Sequence, residues 1–179
     1  MAGHPLVEDN RLISIIVALD NNYLIGNQGK LPWNIPDDLR NFRLQTWGHP
    51  VIMGRVTYDS LPKKPLRGRL NIVVTKTNVG HDIFQLFDWT QIVYFQPNLG
   101  EAVKLAKMYC PNNDEIFIIG GRQIYETALN DGIVDKLYVT HVEGDYEGDT
   151  HFPKIPNEFH VDKIPKRQCE GYSYWTYEK

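Results

Sequence analysis

The chain of 179 residues reads as a single α/β domain built around a mixed sheet. Three observations carry this reading. Runs of β-branched and apolar residues at 12–19, 50–53, 71–75, 115–119 and 136–142 read as strands covered on both faces, and helical segments alternate with them. Two of these strands pass through glycine straight into a helix, at Gly54 and at Gly120-Gly121. After the last alternation, residues 159–164 and 172–177 form a closing antiparallel pair, which makes the sheet mixed.

The first run, residues 12–19, is nearly all apolar and belongs mid-sheet. Residues 20–34 show no periodicity and carry Asn21-Asn22, Gly26, Gly29 and Pro32; a loop of that length is more often functional than idle. It leads into a helix expected from Pro36 to about Trp47, because proline suits the first helical position, where its missing N–H would go unpaired anyway. Leu39 and Phe42 begin its apolar stripe. Residues three and four apart share a helix face, so Asp38 stands beneath Phe42 and beside the stripe, while Asp37 and Arg40 turn to solvent. Two readings fit Asp38. As helix decoration it would complement the positive N-terminal end. As a functional acid walled by Trp33 and Phe42 it would be desolvated and its pKa raised, and its two oxygens could accept paired hydrogen bonds from the amidine-like edge of a flat heterocycle.

The strand at 50–53 ends at Gly54, and residues 55–61 read as a short helix. Strand, glycine, helix is a phosphate-holding arrangement when the helix N-terminus is open, and Arg55 and Thr57 would add a charged and a hydroxyl donor. Residues 62–69 are proline-rich and basic, and the strand at 71–75 ends at Lys76. Asn98 with Glu101 forms a capping box for a helix to about Tyr109, whose apolar face of Ala102, Leu105, Ala106 and Tyr109 assigns it to packing alone. Gly120-Gly121 lets backbone approach a ligand closely but lacks the third glycine of a G-x-G-x-x-G fingerprint. A helix through Arg122, Ile124, Tyr125 and Leu129 follows.

Charge and composition bound the function. With 19 basic and 22 acidic residues the net charge is −3, so no global field recruits nucleic acid or an anionic membrane surface. The longest apolar run is broken by Ser14 and far too short to span a bilayer, and residues 1–10 lack both the basic start and the apolar centre of a leader, so a cytoplasmic protein is expected. Cys110 and Cys169 stand alone, the six histidines form no H-x-x-x-H pair, and no G-x-S-x-G turn occurs. A disulfide framework, a metal site and a serine hydrolase therefore find no support.

Five motifs occur in one order: L-P-W-N-x-P-x-D-L at 31–39, V-I-M-G-R-x-T at 51–57, L-x-G-R at 66–69, I-G-G at 119–121 with Tyr125, and E-G-D-T-x-F-P at 147–153. Together they resemble dihydrofolate reductases of the chromosomal, single-domain type. The resemblance implies an α/β domain with a mostly parallel eight-stranded mixed sheet, an antiparallel C-terminal strand pair and about four flanking helices. Residues 1–11 would be an unstructured extension, 12–179 the reductase domain, and about 49–113 within it an adenosine-binding subdomain. The implied reaction is NADPH-dependent reduction of 7,8-dihydrofolate to 5,6,7,8-tetrahydrofolate, with hydride passing to pterin C6 and a proton to N5. Dihydrofolate and antifolate inhibitors would be the partners, with no nucleic acid, no membrane and a monomeric chain.

Residue by residue, the resemblance gives Asp38 the pterin amidine edge and assistance in protonating N5, with Thr140 bonding the carboxylate and Trp33 bordering the site through a water. Ile16, Val17, Leu31, Leu39, Phe42, Leu61, Leu66, Ile119 and Tyr125 would line the folate pocket, and Arg69 would pair with the glutamate α-carboxylate. Val17, Ala18, Ile25, Gly26, Gly54, Arg55, Val56, Thr57, Thr75, Lys76, Ile119, Gly120, Gly121, Arg122, Gln123, Ile124 and Tyr125 would hold NADPH, with a cis peptide at Gly120-Gly121. Residues 21–34 would be a lid contacted by Asp149. Val56 and Gln123 stand where relatives often carry basic residues, so phosphate binding would lean on Arg55, Thr57 and Lys76. A pyrimidine reductase of similar fold, as in riboflavin biosynthesis, would share the Gly-Gly strand end, but Trp33 and Asp38 speak against it. A non-catalytic nucleotide-binding module is the alternative from another class.

Overall fold

The computed structural model describes residues 11–77, 93–110 and 115–179. Apart from Arg11 the expected N-terminal extension lies outside the described residues, as does part of the 49–113 subdomain. In chain order the elements are β1 (Ile13–Leu19), β2 (Leu24–Gly26), α1 (Pro36–Thr46), β3 (Pro50–Gly54), α2 (Arg55–Ser60), β4 (Leu70–Val74), β5 (Val93–Gln96), α3 (Leu99–Tyr109), β6 (Ile116–Ile118), α4 (Arg122–Asn130), β7 (Lys136–Val142), β8 (Thr150–His151), β9 (His160–Val161), β10 (Arg167–Cys169) and β11 (Tyr172–Glu178).

β1 lies mid-sheet as its apolar run predicts, flanked by β6 and β7, both parallel to it. The main path runs β10-β11-β7-β1-β6-β3-β4-β5. From β7 to β5 every pairing is parallel, and β11 and β10 add the antiparallel edge, so eight strands lie on this path as expected. Side chains alternate across a strand, and β1 shows it. Ile13, Ile15, Val17 and Leu19 join one apolar cluster with Ala102, Val103 and Ala106 of α3 and Ala128 and Leu129 of α4. Ile16 faces the other way, into a cluster with Val51, Met53, Val73 and Phe117, where Phe42 of α1 and Tyr58 of α2 pack. Both faces of the parallel sheet are therefore covered, as such sheets require.

Two expectations change. The closing hairpin is β10 with β11, not 159–164 with 172–177; of the former stretch only His160–Val161 pairs, as the short strand β9 against β11. The hairpin turns at Glu170-Gly171, with Gly171 at φ 78°, a conformation glycine adopts without steric cost. Asn98 does cap α3, its Oδ1 accepting the Glu101 N–H at 2.9 Å, while the Glu101 carboxylate pairs with Lys104 at 2.7 Å. Strands β2, β5, β8 and β10 were not predicted; each is four residues or fewer.

Candidate active site

Parallel strands end at the same edge of the sheet, so β1, β3, β4 and β6 deliver their carboxyl ends together. A cleft of about 970 Å³ opens there. Of the residues proposed from sequence for substrate or cofactor, all but Leu66 and Arg69 line it. Its wall also includes Gly29, Lys30, Ser60, Pro62, Val74, Pro97, Asn98, Leu99, Thr127 and Thr150, which sequence reasoning missed. Three of these form the start of α3, so that helix does more than pack. β5 runs parallel to β4, which brings the β5–α3 junction to the same edge as the other strand-to-helix turns; recognising Val93-Tyr94-Phe95 as a strand would have placed it.

α1 is the helix whose sequence breaks the usual pattern. Its buried residues are Asp38 and Thr46, whereas Leu39 is 52% exposed. Leu39 thus looks into the cleft, and Phe42 both lines the cleft and packs against the second apolar cluster. Pro36 opens the helix as expected, Trp47 follows as its C-cap, and Asp37 with Arg40 sits in solvent at 4.0 Å. Asp38 is only 8% exposed. The Thr140 hydroxyl, from the centre of β7, donates to its Oδ1 at 2.6 Å. Burial pushes the carboxyl above its ordinary value, and the Thr140 bond pulls the other way but less strongly. Among the described residues Thr140 alone bonds this carboxylate, so Oδ2 is left to face a ligand.

Trp33 closes the same corner. It is buried, lines the cleft, and among the described residues its Nε1 is the buried side-chain polar atom without a hydrogen-bond partner. An unpaired buried donor is costly and marks a place where a partner is to arrive. Arg69 sits behind the wall rather than in it. Its guanidinium stands over the Phe42 ring, with Cζ 5.7 Å from the centroid, and donates to the Thr46 hydroxyl at 2.9 Å and the Arg67 carbonyl at 3.1 Å. Burial, then the nearby Arg43 charge, lowers its pKa to about 10, so it stays cationic at neutral pH. No carboxylate among the described residues pairs with it. Leu66 packs against the same apolar cluster as Phe42 and Leu61.

The other half of the cleft is a backbone cradle. The Gly54 N–H donates to the Gly120 carbonyl at 2.7 Å, and the Gly120-Gly121 peptide is cis, as the resemblance implied. A Cβ on Gly54 would come within 3.3 Å of Ile124, and one on Gly121 within 3.1 Å of the Thr57 hydroxyl. These glycines let β3, β6, α2 and α4 converge. α4 starts at Gly121 without a side-chain cap, leaving its first N–H groups for an anion. Arg55, Thr57, Lys76 and Arg122 line the same cleft, and the Thr57 hydroxyl lies close to Gly121. The donor set, uncapped helix start plus cations and hydroxyl, suits a phosphate-bearing cofactor. Arg55 also bonds Asp59, Nε to Oδ2 at 2.8 Å, while Val56 is 76% exposed and adds no charge.

Residues 20–34 bend over one side of the cleft through the small β2–β8 ribbon. The Asp149 carboxylate accepts the Gln28 N–H at 3.0 Å, and the Asp149 N–H donates to Gly26 at 3.2 Å, the contact expected of the lid.

Comparison with known proteins places these features among relatives. A family model described as dihydrofolate reductase matches residues 12–178. The chain is 41% identical over 143 residues to a dihydrofolate reductase type 3 of Salmonella typhimurium, covering 79% of this chain and 78% of that protein. It is 37% identical over 154 residues to a dihydrofolate reductase of Schistosoma mansoni, covering 80% and 78%. It is 38% identical over 144 residues to the enzyme of that name in Bacillus subtilis, covering 80% and 77%.

Proposed function

The chain belongs to the dihydrofolate reductase family, and on that premise we propose how its own residues serve the reaction. It is an NADP-dependent oxidoreductase that reduces dihydrofolate to tetrahydrofolate, with NADPH as cofactor. The observation that carries the residue assignment is a buried Asp38 carboxylate, held by Thr140 on one oxygen and open to the cleft on the other, beside an unpaired Trp33 Nε1.

Bound NADPH supplies the hydride that the pterin receives at C6. Asp38 holds the amidine edge of the pterin, since two coplanar N–H donors match a carboxylate. Burial raises its pKa, which favours its part in general-acid assistance, and the Trp33 donor orients the group that carries the proton to N5. Ile16, Leu31, Leu39, Phe42 and Ile119 sandwich the rings and keep out water. Arg69, cationic and unpaired by any described acid, receives the glutamate α-carboxylate where the tail leaves the cleft. Arg55, Thr57, Lys76, Arg122 and the α4 start would hold the cofactor phosphates, and the Gly120-Gly121 backbone would allow its close approach. Antifolates that copy the amidine edge bind against Asp38. The adenosine-binding subdomain at about 49–113, a cytoplasmic location and a monomeric chain complete the proposal; among the described residues no helix is long and apolar enough to cross a membrane.

The experiment is absorbance near 340 nm with NADPH and dihydrofolate, in wild type and Asp38→Asn. Turnover in the wild type and a loss of roughly 10²–10⁴-fold in the variant are expected, the usual worth of a general acid. No turnover with dihydrofolate would return the cleft to nucleotide sensing.

A further inference from the structure

Behind one site residue lies a contact that the reaction described above does not use. The Trp33 indole meets the Tyr146 ring edge-on, with centroids 5.3 Å apart and planes at 69°. The Trp33 Nε1 makes no hydrogen bond among the described residues, so within the described chain it is ring packing that bears on where it points. Edge-to-face contact is the geometry that the quadrupoles of two rings prefer, and it resists rotation of either ring plane. Tyr146 makes this contact from outside the cleft.

Tyr146 is itself clamped. The Asp20 carboxylate, 1% exposed, accepts the Tyr146 N–H on Oδ2 at 2.9 Å, and on Oδ1 the N–H groups of Asn22 at 2.8 Å and Leu24 at 2.9 Å. Asn22 Nδ2 donates to the Asp145 carboxylate at 3.0 Å at the same joint. One carboxylate thus spans two segments, with one oxygen for each. Asparagine cannot replace it: with its carbonyl kept on Asn22 and Leu24, its amide hydrogens would face the Tyr146 N–H.

We propose that Tyr146, clamped by Asp20, is a positioning residue for the reduction: it sets the plane of the Trp33 indole and so the direction of the Nε1 donor. The proposal rests on the reading of Trp33 as a site residue. Tyr146 is partly exposed and lies in neither apolar cluster, so shortening it leaves the core intact. Its hydroxyl bonds nothing among the described residues, so the ring alone carries the role.

Single-turnover hydride transfer, followed by loss of NADPH fluorescence, tests this in the full chain alongside equilibrium binding of NADPH and dihydrofolate. Tyr146→Leu is expected to slow hydride transfer by roughly two- to twelvefold, on the scale of an edge-to-face pair, while both dissociation constants hold. Tyr146→Phe keeps the ring and restores the rate. Asp20→Asn slows transfer as Tyr146→Leu does. In a Trp33→Phe background, which has a ring but no donor, Tyr146→Leu should lose its effect, because the role runs through the indole. Wild-type transfer in Tyr146→Leu, an undiminished effect of it without the indole, or a Tyr146→Phe as slow as Tyr146→Leu would overturn the proposal. Should Trp33→Phe alone leave transfer unchanged, the reading of Trp33 fails first and takes the proposal with it.

Discussion

Asp38 is a charged group in a place that favours its neutral form, and the consequence is measurable away from catalysis. Its folded pKa is raised by burial above the ordinary value of 3.8. Between those two values the native state holds a proton that the unfolded chain has released, so stability falls as pH rises through that window and stays low above it. Asp38→Asn removes the charge and keeps an acceptor for the Thr140 hydroxyl. The variant should therefore melt higher than wild type at neutral pH and differ little at acid pH. Calorimetry across pH checks this, and a lower midpoint at neutral pH would contradict it. In the proposed function Arg69 is the counterpart at the other end of the substrate. A lysine cannot reach the Arg67 carbonyl and the Thr46 hydroxyl and still present a planar fork. Arg69→Lys should raise KM for dihydrofolate by roughly tenfold while sparing small diaminopyrimidine inhibitors without a glutamate tail. Equal weakening of both would make Arg69 structural. Both residues were legible in the sequence, Asp38 from helical spacing and both from their motifs. The burial of Arg69 was not, because its partners Thr46 and Phe42 lie more than twenty positions away.

Among elements, α1 shows what periodicity contains and what it omits. Spacing identified the helix and the face shared by Asp38, Leu39 and Phe42, but a shared face does not say whether core or cleft covers it. The C-terminal edge failed for another reason. Arg167-Gln168-Cys169 has no apolar alternation, and β10 exists because β11 offers it backbone partners, so burial leaves no trace in its sequence. Phe159 and Ile164 carried the stronger hydrophobic signal, yet Phe159 is buried ahead of β9 and Ile164 is exposed. The end of β4 was read better: Lys76 lies at the cleft as expected. Assigned to the 2′-phosphate, it predicts that Lys76→Ala weakens NADPH by roughly ten- to hundredfold and leaves NADH nearly untouched, since a charge-assisted contact is worth about 1.5–3 kcal/mol. Equal losses for the two cofactors, measured by fluorescence titration, would contradict that assignment.

At the scale of the whole molecule, the parallel pairing of β1, β6, β3 and β4 explains why residues from Ile16 to Tyr125 meet in one cleft. The alternation of strands and helices made that architecture legible. Of the missed wall residues, Pro97 to Leu99 and Thr150 arrive through short strands whose positions depend on tertiary pairing. On the proposed assignment the cleft divides the labour: the glycine cradle and cations would serve the cofactor, and the α1 corner the pterin. Such a division requires that removing the Asp38 charge harm chemistry far more than cofactor binding. Pre-steady-state hydride transfer in wild type and Asp38→Asn, followed from about pH 5 to about pH 9 with NADPH affinity measured in parallel, tests it most directly. The account predicts a wild-type rate that falls as pH rises, and a variant slower by roughly 10²–10⁴-fold at neutral pH with NADPH affinity intact. A wild-type rate flat across that range, or a variant within a few-fold of wild type, would make Asp38 an ornament of its helix.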